Sequence, residues 1–301
     1  AQSGPSCGPA IDRGRAMGEI AAHRMGEGKE GGMNFMQFAQ AHGLIINSLI
    51  PFRWVRVPTV AHPRKRNGAY KFMETHGFVQ EHSTMTEPAL WKPEGDQKID
   101  VAKMQRQAKE VAQDIEVKRK EAAERAEWIL SQCSLEAHPY LEGKGFKDER
   151  ANVWSEGNLL VIPMRVGRQI VGCQLIDADG GKKFLFGQRT SGAAFVIDAR
   201  GPNVLCEGYA TALPIRAALA ALKKRYTLFV CFSAHNMKVI AKTLPSGFVV
   251  ADNDASGTGE RVAAEIGWPY YMPPEVGQDF NDYHRAQSLF KVSQALRVAM
   301  T

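Results

Sequence analysis

The chain has 301 residues, 44% of them hydrophobic and 23% charged, with a formal net charge of +6. That length builds two domains, or one large one, around a proper hydrophobic core, and no stretch approaches the roughly 18 to 20 uninterrupted apolar residues of a membrane span. No signal-peptide core is visible either, so a cytoplasmic protein is expected, and the basic excess suits a polyanionic partner. The five cysteines, Cys7, Cys133, Cys173, Cys206 and Cys231, are scattered and odd in number. They offer neither a disulfide framework nor a CxxC zinc ribbon, and no zinc is expected.

Residues 1–32 lack an initiating Met, carry eight glycines and show no sustained apolar period. They read as a tag or disordered segment, with Met33 as the natural start. From residue 33 to 96 a small β-rich domain is expected, with a helix over Phe35 to His42 and strands around Trp54 to Val57, Ala69 to Met73 and Ala89 to Lys92. Cations (Arg53, Arg56, Arg64, Lys65, Arg66, Lys71) are interleaved here with rings (Phe52, Trp54, Tyr70, Phe72, Phe78, Trp91). Cations for backbone phosphates and flat rings for stacking are what single-stranded nucleic acid binding requires. The alternative is that the rings form the domain's core and the cations are solvated.

Residues 97–134 lack Gly and Pro and are rich in Ala, Glu, Lys, Arg and Gln, which predicts a long helix. Its thin apolar stripe, from Val101 through Ile115 to Ile129, suits a connector between domains spanning 97–137. From 138 to 200 short strands with turn signals follow: Leu159 to Met164, Gln169 to Ile176, Phe184 to Phe186 and Ala194 to Ile197. Arg165, Arg168, Lys182, Lys183 and Arg189 sit at their turns and starts, either as a basic groove or as ordinary turn decoration.

From Asn203 onward the pattern is β/α alternation. Strands are expected at Val204–Cys206, Thr227–Phe232 and Phe248–Ala251, and helices at Ala210–Leu222, Asn236–Thr243 and Gly259–Ile266. Such spacing gives right-handed crossovers and a parallel sheet with helices on both faces, and ligands collect at the carboxyl ends of its strands. Glu207 stands at that edge, as do Asp252 and Asp254. On an extended chain the two aspartates point the same way and can converge on a hard cation such as Mg2+; a solvated turn is the competing reading. Asp279 and Asp282 form a third acidic element, although aspartate at a helix start is also a plain cap. Crowded carboxylates repel one another, and a fold that collects them does so to hold cations.

The ordered trio Glu207-Gly208-Tyr209-Ala210, Asp252-Asn253-Asp254-Ala255-Ser256-Gly257 and Gly277-Gln278-Asp279-Phe280-Asn281-Asp282 resembles the toprim domain of bacterial-type DNA primases, most of all those of phages and plasmids. His138-Pro139-Tyr140-Leu141, the Leu160 to Arg165 strand, Gln174-Leu175-Ile176 and Gly181-Lys182-Lys183-Phe184 resemble the start of the primase polymerase core, so the resemblance covers about 138–286. It implies an α/β toprim domain at 201–286 joined to a mixed α+β core subdomain at 138–200, with a C-terminal helix over 287–301. It also implies a nucleotidyltransferase of DNA replication, a DNA-directed RNA polymerase that makes short RNA primers on single-stranded DNA from ribonucleoside triphosphates, in a bacterial host cell. By the same resemblance Glu207 is a general acid/base or metal ligand, Asp252 and Asp254 bind Mg2+ or Mn2+, and Asp279 and Asp282 help hold further metal with the triphosphate. Arg165, Lys182, Lys183 and Arg189 would hold template or nucleotide. The family's amino-terminal zinc ribbon has no counterpart, since residues 33–95 contain no cysteine. No GxxxxGK[ST] loop occurs, which points to a separate helicase partner. A toprim nuclease and a non-catalytic nucleic-acid-binding module are the alternatives.

Overall fold

The structure, a computed structural model, describes residues 33–85, 87–93 and 101–300. Residues 1–32, read above as a tag, and the expected first turn of the long helix (97–100) lie outside the described residues. The chain divides into two compact units, Ala1–Ala108 and Lys109–Thr301.

In the first unit, helix α1 (Phe35–Ala41) opens with a capping box in which the Asn34 side chain accepts from Gln37 N and the Gln37 side chain accepts from Asn34 N, satisfying two donors that a helix start leaves open. Strands β1 (Trp54–Val57), β2 (Gly68–Met73), β3 (His76–Glu81) and β4 (Ala89–Trp91) follow as one antiparallel sheet in that order. Strand β3 was not anticipated: it follows β2 after only Glu74 and Thr75, a turn without the Gly or Asn signal. The core joins Phe35 and Ala39 of the helix to Leu44, Ile46, Val57, Tyr70 and Val79.

Helix α2 (Val101–Ser131) runs across the division and ends at Ser131, short of the expected 134. The next residues form β5 (Cys133–Glu136), pairing antiparallel with β6 (Ala151–Trp154). Neither strand was anticipated: at β5 local composition continued the helix, and β6 is a four-residue segment held in place by pairing with β5 and β7. Helix α3 (Pro139–Gly143) lies between them. Strands β7 (Leu159–Val166), β8 (Gln169–Ile176) and β9 (Lys182–Phe184) complete an antiparallel sheet of order β5-β6-β7-β8-β9. The last of these was expected at Phe184 to Phe186. The tight turn in which Asp177 accepts from Gly181 N brings Lys182 and Lys183 into register with Ile176 and Leu175 instead. Ala126 and Ile129 of α2 are buried against Val161 and Cys173 of this sheet, so the end of the helix is a packed element as well as a link.

The second sheet of this unit contains β10 (Phe195–Asp198), β11 (Asn203–Cys206), β12 (Thr227–Val230), β13 (Phe248–Val250) and β14 (Tyr270–Tyr271) in the order β10-β12-β11-β13-β14. All neighbours are parallel except β10 with β12. The Ala194 to Ile197 segment, expected in the first sheet, therefore belongs to the second. The two sheets touch where Arg165 and Ala194 exchange backbone hydrogen bonds of 2.9 Å. Helices α4 (Tyr209–Ala221), α5 (Ala234–Ala241), α6 (Thr258–Ile266), α7 (Phe280–Ala286) and α8 (Leu289–Ala299) cover it. Val204, Cys206, Phe248 and Val250 face a core with Leu213, Phe280, Val292 and Leu296. The alternate residues Leu205, Val249 and Ala251 face Met237, Ile240 and Val262. Burial on both faces is why these strands read as unbroken apolar runs.

Candidate functional site

Strands β11 and β13 are parallel neighbours with Cys206 opposite Val250, so the chain leaves both at the same sheet edge, through Glu207-Gly208 and Ala251-Asp252. The third acidic segment is fastened to that edge by a backbone bridge. Asn253 N donates to Gln278 O at 2.9 Å, Gly277 N donates to Asn253 O at 2.6 Å, and the Asn253 side chain donates to Pro273 O at 2.9 Å. Sequence reasoning passed over Asn253, flanked as it is by two aspartates; nothing local reveals that it clamps two acidic loops together.

The electrostatics of the edge follow from that assembly. Burial pushes the Asp252 carboxyl up to about 7, and Glu207, Asp279 and Asp254 add to the rise while Lys182 offsets part of it. Burial likewise raises Glu207, against the pull of Lys182 and with a further push from Asp254. Asp252 Oδ1 is buried with no hydrogen-bond partner, an arrangement that costs a fold on the order of 1–3 kcal/mol. An orphaned carboxylate oxygen amid further carboxylates fits a divalent cation with oxygen ligands.

The other aspartates carry structural duties. Burial alone would raise Asp254, but hydrogen bonds from Ser256, Gly259 and Thr258 hold it below its ordinary value; its Oδ2 accepts from Gly259 N at 2.9 Å. Asp279 is the N-cap of α7, accepting from Asp282 N at 2.8 Å, and Asp282 reaches back to Asp279 N. The capping reading of Asp279 and Asp282 is thus met. Among the described residues no three His, Cys, Asp or Glu side chains are gathered closely enough to hold a metal ion. Each carboxylate retains lone pairs beyond its cap bonds.

Beside the acidic edge lies a cleft of about 340 Å³, bounded by α3, the β8–β9 turn and α7, with Lys144, Lys182 and Arg285 in its wall together with Asp179 and Tyr140. Lys182 therefore serves both features: it lines the cleft and acts on Glu207 and Asp252. Lys144 and Arg285 were not singled out from the sequence. The Gly143-Lys144-Gly145 turn was a visible signal for the first, but only the docking of α7, through Asn281 Nδ2 donating to Lys144 O at 2.9 Å, brings Arg285 there. Of the other expected cations, Lys183 neighbours Lys182 on β9 and alternates to the opposite side. The Arg165 guanidinium donates to Arg168 O at 3.2 Å and that of Arg189 to Ser191 O at 3.0 Å; neither lines the cleft.

The nucleic-acid candidates of the first unit separate by face. Tyr70 is wholly buried, its hydroxyl accepting from Ile50 N and donating to Ser48 O, so its ring is core and does not reach solvent. Arg53 is half-buried, and Trp54, Arg56, Arg64, Lys65 and Arg66 are exposed. Lys71 is half-buried on the sheet.

No family model matches the chain. Over 45% of its length it is similar to a DNA primase domain from Pseudomonas aeruginosa, 20% identical, with a TM-score of 0.31 and 50% of that chain covered. The chain thus spans about half the length of that relative. It is also similar, at 14% identity and a TM-score of 0.38 over 56% of this chain and 91% of the other, to a chain of the assembly in which the bacteriophage T7 lagging-strand DNA polymerase interacts with primase domains of two gp4 subunits bound to an RNA/DNA hybrid and dTTP. These are partial likenesses of fold, and the functional reading rests on the residues themselves.

Proposed function

We propose that the chain is a metal-dependent nucleotidyltransferase of the DNA primase kind, joining ribonucleotides into short RNA primers on single-stranded DNA with Mg2+ or Mn2+. The observation that carries it is the buried, unpartnered Asp252 Oδ1 in a neighbourhood of Glu207, Asp254 and Asp279, at the carboxyl edge of a parallel sheet and next to a cationic cleft. The choice of reaction comes from the order of the acidic motifs, which resembles that of toprim primases. Asp252 would hold the cation with Glu207 and Asp254, and Asp279 and Asp282 would serve from the adjoining loop. A bound divalent ion supplies charge neutralisation for a triphosphate and lowers the cost of an attacking or departing oxyanion. Lys182, Lys144 and Arg285 would orient phosphates in the cleft. Glu207, whose carboxyl burial raises above its ordinary value, would accept or return a proton at its carboxylate. The Asn253 bridge keeps the acidic loops at a fixed spacing while this occurs. A separate helicase partner and a cytoplasmic site of action in a bacterial host complete the reading. No helix among the described residues is long and apolar enough to cross a membrane.

The test is direct. The protein is incubated with single-stranded DNA, labelled ribonucleotides and Mg2+ or Mn2+, and short RNA products are expected that disappear in Asp252→Asn and Glu207→Gln. Degraded template without synthesis would reassign the same site to a nuclease. No product and no degradation across many templates would leave a binding module.

A further inference from the structure

The four-stranded sheet of the first unit has two unlike faces. Because side chains alternate along a strand, the register sorts them directly. Val55, Val57, Tyr70, Phe72 and Val79 turn to α1 and its Phe35. On the other face, Trp54 pairs with Lys71, Lys71 with Phe78, and Phe78 with Leu90, giving one row across all four strands. A second row, Arg56-Ala69-Gln80, runs beside it, and Met73-His76 flanks the other side. None of these residues is acidic. Among the described residues of this unit no helix covers the face, and Trp54 and Leu90 are each 48% exposed.

The rings on this face are arranged in relation to one another. Trp54 and Phe78 stand two strands apart yet lean together across Lys71 to a centroid separation of 6.3 Å, and His76 meets Phe78 edge-on at 5.5 Å. Arg56 Nε donates to Arg66 O at 2.9 Å, which fastens the exposed Arg64-Lys65-Arg66 run of the β1–β2 connection to the border of the face. The three acidic residues described in this unit lie off the face. Glu74 is in the β2–β3 turn and Glu87 precedes β4. Glu81 turns the other way and accepts from Asn67, Ser83 and Thr84.

A row of rings interleaved with cations and free of carboxylates matches a chain of flat bases joined by phosphates. A protein partner would call instead for a larger apolar patch with cations kept to its rim. A flat sheet can take up only bases that are already unpaired. We infer that this open face is a stacking platform for single-stranded nucleic acid: bases lie on Trp54 and Phe78, while Lys71, Arg56 and the Arg64–Arg66 run contact the phosphates. The inference does not rest on the chemistry proposed for the acidic edge. It also brings in Phe78, which composition alone had not separated from core rings, adds His76 beside it, and excludes Tyr70.

The test uses the full chain with 15-residue oligo-dT and oligo-rU and a DNA duplex of the same length, by fluorescence anisotropy at two salt concentrations. A parallel photo-cross-linking experiment with bromodeoxyuridine is mapped by mass spectrometry. Expected are preference for either single strand over duplex and cross-links to Trp54 or Phe78. Affinity should fall about fivefold or more in each of Trp54→Ala and Phe78→Ala, and the salt dependence should become shallower in the Arg64/Lys65/Arg66→Ala triple variant. Trp54 is exposed, so its variant keeps the fold; Val117→Ala, an exposed apolar loss in the second unit and without a ring, should bind as wild type. Asp252→Asn should retain the binding, which separates failure here from failure at the acidic edge. Unchanged affinity in both ring variants, cross-links confined to residues beyond 109, or equal duplex binding would overturn the inference. A change in sedimentation of Trp54→Ala without any change in oligonucleotide affinity would overturn it in favour of a protein contact.

Discussion

Asp252 illustrates how one side chain answers to two demands. In the free protein its carboxyl is raised to about 7 by burial and by Glu207, Asp279 and Asp254. A raised acid favours the fold when protonated, so the cost of its charge appears as pH climbs from 3.8 towards 7 and is complete above that. Asp252→Asn removes this cost. At pH 8 in chelator the variant should therefore melt higher than wild type, by roughly 2–4 °C for each kcal/mol relieved. Mn2+ should raise the melting temperature of wild type but not of the variant, as differential scanning fluorimetry would show; a variant that melts lower in chelator would disprove the strain. Glu81 is the opposite case. Hydrogen bonds from Ser83 and Thr84 lower its carboxyl to about 2, so its contribution is present above 4.5 and lost as pH falls from 4.5 to about 2. Calorimetry should show wild type losing stability over that window, with Glu81→Gln less stable at pH 7 and flatter below 4.5. At this scale the sequence was legible for residue type more than for duty. The acidic residues were visible, but that Asp279 and Asp282 cap one another, that Tyr70 is core and that Arg285 lines the cleft depends on contacts over long separations.

Among the elements, the start of α6 fixes the Asp252 loop by closeness. A Cβ on Gly259 would fall 2.1 Å from the Asp252 carbonyl oxygen, and Gly259 N donates to Asp254 Oδ2. Gly259→Ala must push helix and loop apart, at a cost of about 1–3 kcal/mol. Cation-induced stabilisation should then weaken while the isolated melting transition of the first unit, read by calorimetry, stays put; an unshifted Mn2+ response would show that the loop tolerates the displacement. The β/α alternation that frames this loop was readable because each parallel strand is buried on both faces and is set between helices of ordinary length. Strands β3, β5 and β6 were not readable. The first has no turn residue before it, the second continues the composition of α2, the third is a four-residue segment, and all three depend on pairing with a neighbour for their conformation.

Over the whole molecule, the charge is divided between the two units. The formal excess of +6 is a small net figure, yet the first unit gathers Arg53, Arg56, Arg64, Lys65, Arg66 and Lys71, while the second gathers carboxylates at one sheet edge. Two units with separate cores predict separable defects. Reversing charge in the first unit, with Arg64→Glu, Lys65→Glu and Arg66→Glu combined, should raise the single-strand concentration needed for half-maximal synthesis. The rise should be steeper at 50 mM than at 200 mM salt, because the lost term is the release of counterions from phosphates. The Mn2+-induced rise in melting temperature should be that of wild type. Asp252→Asn should show the converse pattern: wild-type affinity for the strand, no product, and no Mn2+ response. Measured together, the two variants distinguish a chain in which strand capture and cation chemistry are carried by different units from one in which the acidic edge does both. In the latter case the charge-reversal variant would bind oligonucleotide as wild type, and the division of labour would be wrong.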